Sequence, residues 1–302
     1  MNITLSLASS RRSAAFRALR ASTRSRLFTV IIPLLVLHAG AALHAQSFGD
    51  LLVTPMRVVF EGGNRSQTLT LFNVGTDTAT YDISLIQYRM NLNGTFTEIT
   101  SPDPGQLFSD QYVRFFPRTV TLAPKEAQNV RVQYRPGTDM PDGEFRSHMF
   151  FRSVPRKQAL DAAPAEDTTQ LAIRVAAIYG VSIPVIARKG ELTADVSIRE
   201  ASLATLADSA RTRQLSLVLA RSGSMSVYGD ILVTHIPEQG PETLVAVSKG
   251  VAVYTPNDTR SFDLALRFSS GGSAPKGRLR IDYINRTDLR EKQLAQHTIT
   301  LP

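Results

Sequence analysis

The chain has 302 residues, 43% of them hydrophobic, which gives room for two domains of roughly 100–150 residues and excludes disorder along its whole length. It contains no cysteine, so a disulfide framework, thiolate metal sites and a cysteine nucleophile are excluded together. The net charge of +8 is uneven: residues 1–45 hold six arginines and no acidic residue, while the rest carries 28 of the 34 basic and all 26 acidic residues, too balanced for a stripe that neutralises nucleic-acid phosphates.

The first segment has the order of a secretory signal. Arg11, Arg12, Arg17, Arg20, Arg24 and Arg26 precede an apolar run over 27–37, and the small residues Ala39, Gly40, Ala41, Ala42 and Ala45 follow it. Pro33 interrupts the run, which is too short for an ordinary membrane-spanning helix. Residues 1–45 are therefore expected to be a signal peptide cleaved after Ala45, and the exported mature chain to begin at Gln46.

After residue 46 the apolar residues alternate with period two, between breaks of Gly, Pro, Asn and Asp. Strands are expected at 51–60, 67–73, 80–88, 113–121, 128–134, 144–154 and 171–186, the seven of an immunoglobulin-like sandwich. Gly62-Gly63-Asn64, Asn73-Val74-Gly75 and Asn93-Gly94 supply residues that accept positive φ, and Pro141-Asp142-Gly143 sets a tight turn before the sixth strand. The polar, Ala/Pro-rich stretch 156–169 reads as a loop, and Arg188-Lys189-Gly190 as a hinge. A second block of seven strands is expected at 193–198, 215–220, 228–235, 245–253, 261–266, 277–284 and 296–301. The reading is all-β, with two immunoglobulin-like β-sandwich domains, 46–188 and 189–302.

No constellation for catalysis emerges. His148, His235 and His297 stand without a second histidine or a carboxylate at ligand spacing, so neither a zinc site nor a base beside a nucleophile is legible. No Gly-rich phosphate loop, paired carboxylates or Gly-x-Ser-x-Gly elbow appears. A protein that is not an enzyme, with no cofactor, is expected.

Three stretches of the first domain are specific in succession. Val53-Thr54-Pro55-Met56-Arg57-Val58-Val59-Phe60 leads into Ser66-Gln67-Thr68-Leu69-Thr70-Leu71-Phe72-Asn73. Leu122-Ala123-Pro124-Lys125-Glu126 opens the second, and Gly143-Glu144-Phe145-Arg146-Ser147-His148-Met149-Phe150-Phe151 forms the third, closing in Val154-Pro155. Their order resembles the first domain of PapD-type periplasmic chaperones of the chaperone–usher family, over about residues 51–188, with Lys125 where that family often has glycine. The segments 221–230 and 251–257 resemble parts of divergent members' second domain.

The resemblance implies a boomerang of two immunoglobulin-like domains that binds and folds pilus or fimbrial subunits, and works with an outer-membrane usher. In the family the seventh strand lends apolar side chains to a subunit that lacks its own final strand. Leu171, Ile173, Val175 and Ala177 alternate along this strand and would form that donor face. Such an edge is an aggregation hazard, so the cargo-free protein is expected to cover it by self-association or with the 156–169 loop. The resemblance places Arg57 at the arginine that anchors the subunit's terminal carboxylate. At the family's cleft lysine the ungapped match puts Ser182, with Arg188 and Lys189 the next cations. This leaves three alternatives: Arg57 with the Ser182 hydroxyl, a second cation from a neighbouring strand, or a different cargo. The rival reading is a structural or adhesive cell-surface β-sandwich protein.

Overall fold

In a computed structural model the described residues are 51–155, 179–205, 212–268, 276–287 and 290–301. The first sandwich is built from β1 (Leu51–Thr54), β2 (Val58–Phe60), β3 (Ser66–Asn73), β4 (Ala79–Ile86), β5 (Tyr88–Met90), β6 (Phe96–Glu98), β7 (Val113–Phe116), β8 (Thr119–Leu122), β9 (Ala127–Tyr134), β10 (Gly143–Val154) and β11 (Gly180–Lys189). One sheet has the order β1-β3-β9-β7 and the other β2-β11-β10-β4-β8, with β5 and β6 forming a separate hairpin.

Two expected strands are each divided. The stretch 51–60 breaks at Pro55, which has no N–H for a ladder, so β1 pairs with β3 in one sheet and β2 pairs parallel with β11 in the other. The stretch 113–121 breaks at Pro117 in the same way, with β7 against β9 and β8 against β4. The first six expected strands in this half thus keep their places, with two of them serving both sheets, while the seventh, expected at 171–186, is described only as Gly180–Lys189, with 171–178 outside the described residues. The β5–β6 hairpin turns at Gly94, whose φ is 82°. Gly75 has no positive φ. That turn is held by Asn73, whose Oδ1 accepts from Gly75 N at 2.9 Å while its Nδ2 donates to Leu122 O at 3.0 Å.

Alternation builds the core. Leu69 and Leu71 of β3 and Val130 and Val132 of β9 point inward against Tyr81 and Ile83 of β4, Met149 and Phe151 of β10, and Ile183 and Val185 of β11.

The second sandwich comprises β12 (Ala194–Thr205), β13 (Thr212–Gly223), β14 (Val227–Ile236), β15 (Thr243–Val253), β16 (Thr259–Arg267), β17 (Gly277–Thr287) and β18 (Arg290–Leu301). Its sheets are β12-β13-β16 and β15-β14-β17-β18, and Leu215, Leu217, Ile231, Val233, Ile281 and Tyr283 fill the space between them. The protein is all-β, two immunoglobulin-like sandwiches in series; the second has the seven strands expected, whereas the first has eleven among the described residues, because two expected strands divide and the β5–β6 hairpin is added.

The sandwiches meet at a small seam. Met90 of β5 and Ile186 of β11 pack with Ala252 and Tyr254, and Val59 and Tyr228 lie against them. The β5–β6 hairpin is tied across: Asn257 Nδ2 donates to Met90 O at 2.8 Å and Ser261 N donates to Leu92 O at 2.7 Å.

Candidate functional site at the seam between the sandwiches

Strand β10 positions the site. Residues Glu144 through Met149 are all buried, although a strand covered on one face buries only every second residue. Phe145, Met149 and Phe151 enter the first core. By strand alternation Glu144, Arg146 and His148 stand on the opposite face. Ser226, Thr255 and Tyr254 of the second sandwich contact these three.

Glu144 is the centre of an ion-pair network. Its Oε2 accepts from Arg188 Nε at 2.9 Å and from Ser226 N at 3.1 Å, and its Oε1 accepts from Thr255 Oγ1 at 3.3 Å. Arg188 also donates to Glu61 Oε2 at 2.7 Å and to Ser226 O at 3.3 Å. Burial pulls the Arg188 pKa down, but its two carboxylates outweigh that and leave it raised. Lys189 Nζ donates to Met140 O, and Gly190 carries the turn that follows, with φ 81°. The expected hinge residues Arg188 and Lys189 are therefore the last two of β11, paired in register with Glu144 and Gly143.

Arg57 leads into β2 and is half-buried. Its guanidinium lies 4.5 Å from the Tyr228 ring centroid and 5.7 Å from that of Tyr254, within cation–π range. Nη1 is enclosed and makes no hydrogen bond. Because Val58 pairs with Val185, Arg57 is in line with Pro184, two residues and about 7 Å along β11 from Ser182. Ser182 is exposed and faces Phe150 in the ladder.

Arg146 is 2% exposed and its guanidinium lies 4.5 Å from the centroid of Tyr254. Nη2 makes two long hydrogen bonds, to Tyr88 O at 3.3 Å and Thr255 O at 3.5 Å, while Nε and Nη1 are enclosed without a partner. Burial lowers its pKa, Tyr254 and Glu144 oppose that, and Arg57 adds to it. A guanidinium stays protonated regardless, so the lowering signifies a charge held at a cost. His148 sits in an aromatic box, 5.0 Å from Tyr88, 5.2 Å from Phe96 and 6.4 Å from Tyr254 between centroids. Its Nδ1 has no partner, and burial, helped by Arg146, lowers its pKa to about 3.

The edge of β11 is the other feature. Strand β2 covers only Val185 to Ala187, so among the described residues Gly180 to Pro184 pair on one side alone, with β10. The expected donor residues Leu171, Ile173, Val175 and Ala177, like the expected signal peptide and the 156–169 loop, lie outside the described residues.

In the sequence Arg146 and Glu144 are members of a specific stretch with no individual role assigned. Their alternation with Phe145 and Ser147 marks a polar face, and Tyr254-Thr255-Pro256-Asn257 is legible as a turn. That the two cover each other is visible only in three dimensions. Among the described residues, no three His, Asp or Glu side chains stand together as metal ligands.

The chain is similar to solved fimbrial chaperones. The YadV chaperone matches at 12% identity over 84% of this chain and 100% of its own, with a TM-score of 0.40. The CupB2 chaperone of Pseudomonas aeruginosa matches at 13% over 83% and 100%, with 0.41. A structure of the CsuC–CsuE chaperone–tip adhesion subunit complex from the archaic chaperone-usher Csu pili of Acinetobacter baumannii matches at 14% over 83% and 99%, with 0.42. No family model and no curated protein matches the chain. At such identities no residue role is transferred, and the roles below rest on this chain's own geometry.

Proposed function

We propose that this protein is a periplasmic chaperone that binds and folds pilus or fimbrial subunits by donor-strand complementation. A signal peptide of residues 1–45 directs export, domains 46–188 and 189–302 form the mature chain, and an outer-membrane usher receives the cargo. The strand that continues into β11 donates Leu171, Ile173, Val175 and Ala177 to the subunit's open core. Arg57 anchors the subunit's terminal carboxylate, with the Ser182 hydroxyl on the same strand edge. No cofactor and no bond-making step is involved.

The observation that carries this reading is the state of Arg57. A solvated surface arginine keeps all its N–H groups in water, whereas this one is stacked on Tyr228 with an enclosed, unbonded Nη1. It stands in line with Pro184, at the limit of the β11 edge that no other described strand pairs with. A carboxylate arriving with an added strand satisfies the guanidinium fork bidentately. The β11 edge that no described strand covers supplies the backbone donors and acceptors for β-augmentation.

The test is capture from the periplasm by the tagged mature chain, with identification of what co-purifies, followed by Arg57→Ala. Small secreted subunits are expected, bound through their C-termini. Losing one partner of a desolvated charge pair costs about 2–5 kcal/mol, so affinity for the captured subunit should fall on the order of 30-fold or more while the fold is kept. Unchanged capture by a folded Arg57→Ala chain shows that Arg57 is not the anchor. Recovery of surface polysaccharide or of no subunit favours the adhesive alternative.

A further inference from the structure

We infer that Arg146 supplies the second positive charge of the anchor, sharing the ring of Tyr254 with Arg57, and that a bound partner's carboxylate neutralises the pair. This rests on the reading of Arg57 as an anchor and adds a residue from a different strand.

The first argument is charge. Around the seam, Arg57, Arg146, Arg188 and Arg260 meet Glu61 and Glu144, and Arg260 Nη1 donates to Ala252 O at 2.7 Å. Arg188 takes both carboxylates, at 2.7 and 2.9 Å. The remaining acceptor capacity of Glu144 goes to Ser226 N and Thr255 Oγ1. Neither Arg57 nor Arg146 makes an ion pair with a described residue. Arg188 and Lys189, the other candidate cations, are engaged with Glu144 and Met140 O.

The second argument is burial. A cation withdrawn from water persists where hydrogen bonds and a counter-charge compensate it. Arg146 has two long bonds and two enclosed nitrogens with none. Tyr254 and Glu144 give partial compensation, and the Tyr254 ring is shared between the two guanidiniums, at 4.5 and 5.7 Å. Two like charges held on one ring make a site with a standing demand for negative charge. The planar fork of Arg57 selects a planar, bidentate anion, and a terminal carboxylate fits it.

The test uses the intact mature chain and a short N-acetylated peptide as probe, with a free C-terminal carboxylate, as its C-terminal amide, and with inorganic phosphate in parallel. Arginine Nε–Hε signals are followed by NMR and thermal melting is recorded. The free carboxylate should shift the Arg57 and Arg146 signals saturably and raise Tm, and the amide should do neither. Arg146→Gln should weaken carboxylate binding by about 10-fold or more without lowering the Tm of the free chain, because an incompletely compensated buried charge has been removed. Arg146→Lys should recover part of the affinity. A lowered free-chain Tm with unchanged carboxylate affinity makes Arg146 a structural residue and overturns the inference. If Arg57→Ala abolishes binding at the same time, the anchor reading survives; if it also leaves binding intact, both fail. Should Arg146→Gln not fold, an Arg146 signal that stays still on saturation of the wild-type chain overturns the inference, and phosphate binding as tightly as the carboxylate peptide overturns the choice of ligand.

Discussion

At the scale of single residues, Lys125 shows how a sequence departure becomes strain. The turn Ala123-Pro124-Lys125-Glu126 closes with Glu126 N donating to Ala123 O at 3.1 Å, and Lys125 takes φ 64°. Proline at the second place and positive φ at the third describe a type II turn, where glycine is the unstrained choice. A lysine there costs about 1–2 kcal/mol through its Cβ. It is held because Lys125 N donates to Asn73 O at 2.9 Å and Nζ donates to Val74 O at 2.5 Å. Glycine would remove the strain but loosen the unfolded chain by about 0.5–1 kcal/mol. Lys125→Gly is therefore expected to stabilise by about 0.5–1 kcal/mol, a rise in Tm of about 2–3 °C. Lys125→Ala, which keeps the Cβ and loses the Nζ contact, should show no gain in calorimetry.

At the scale of the element, β10 is a strand with a core on both sides, and one of those sides is polar. His148 on that side gives it a pH signature. The unfolded imidazole takes up a proton near pH 6.5, while the folded one resists down to about 3. Protons therefore favour the unfolded chain in this window: the contribution is whole above pH 6.5 and is lost as pH falls toward 3. The groups facing the ring are Tyr88, Phe96 and Tyr254, with the Arg146 charge beside them. Between pH 7.5 and 4.5 the residue should remove about 2–3 kcal/mol of stability. His148→Phe, which keeps a ring in the box, should lose that much less over the same interval in urea unfolding. An equal loss in both chains means that His148 is protonated in the fold.

At the scale of the whole molecule, the two sandwiches are joined through a few polar groups and a small apolar cluster, and Glu144 is the side chain that accepts two of the hydrogen bonds across the seam. Its side chain is wholly enclosed, and it is bonded within the first sandwich to Arg188 and across the seam to Ser226 and Thr255. Glu144→Ala leaves the half-buried Arg188 with Glu61 alone and Ser226 N without its acceptor. Breaking one side of such a pair costs about 3–5 kcal/mol. Glu144→Gln, which keeps an acceptor for Ser226 N, should cost less. The loss should appear at the seam first: hydrogen exchange at Ser261 N, whose bond to Leu92 O crosses it at 2.7 Å, should accelerate before exchange in β3 or β9. Uniform acceleration in both sandwiches would show that Glu144 supports the first core rather than the joint.

Local rules in the sequence determined most of the fold. Period-two alternation placed the strands and their inward faces, because each strand needs only its own side chains to distinguish core from solvent. Glycine and proline placed the turns, with Asn73 correcting Gly75 through a side-chain hydrogen bond that composition does not reveal. The two sheet-switching strands were legible as prolines but not as switches, since pairing partners are a property of the whole sheet. Of the candidate site, the sequence yielded Arg57 and left the second cation open among a serine, a neighbouring strand and the residues at 188–189. Only tertiary structure could commit Arg188 to Glu144 and bring Arg146 beside Tyr254, 108 positions later in the chain. The physical reason is that charge compensation is settled by distance in space, and a polar face in a sequence looks the same whether water or a second domain covers it.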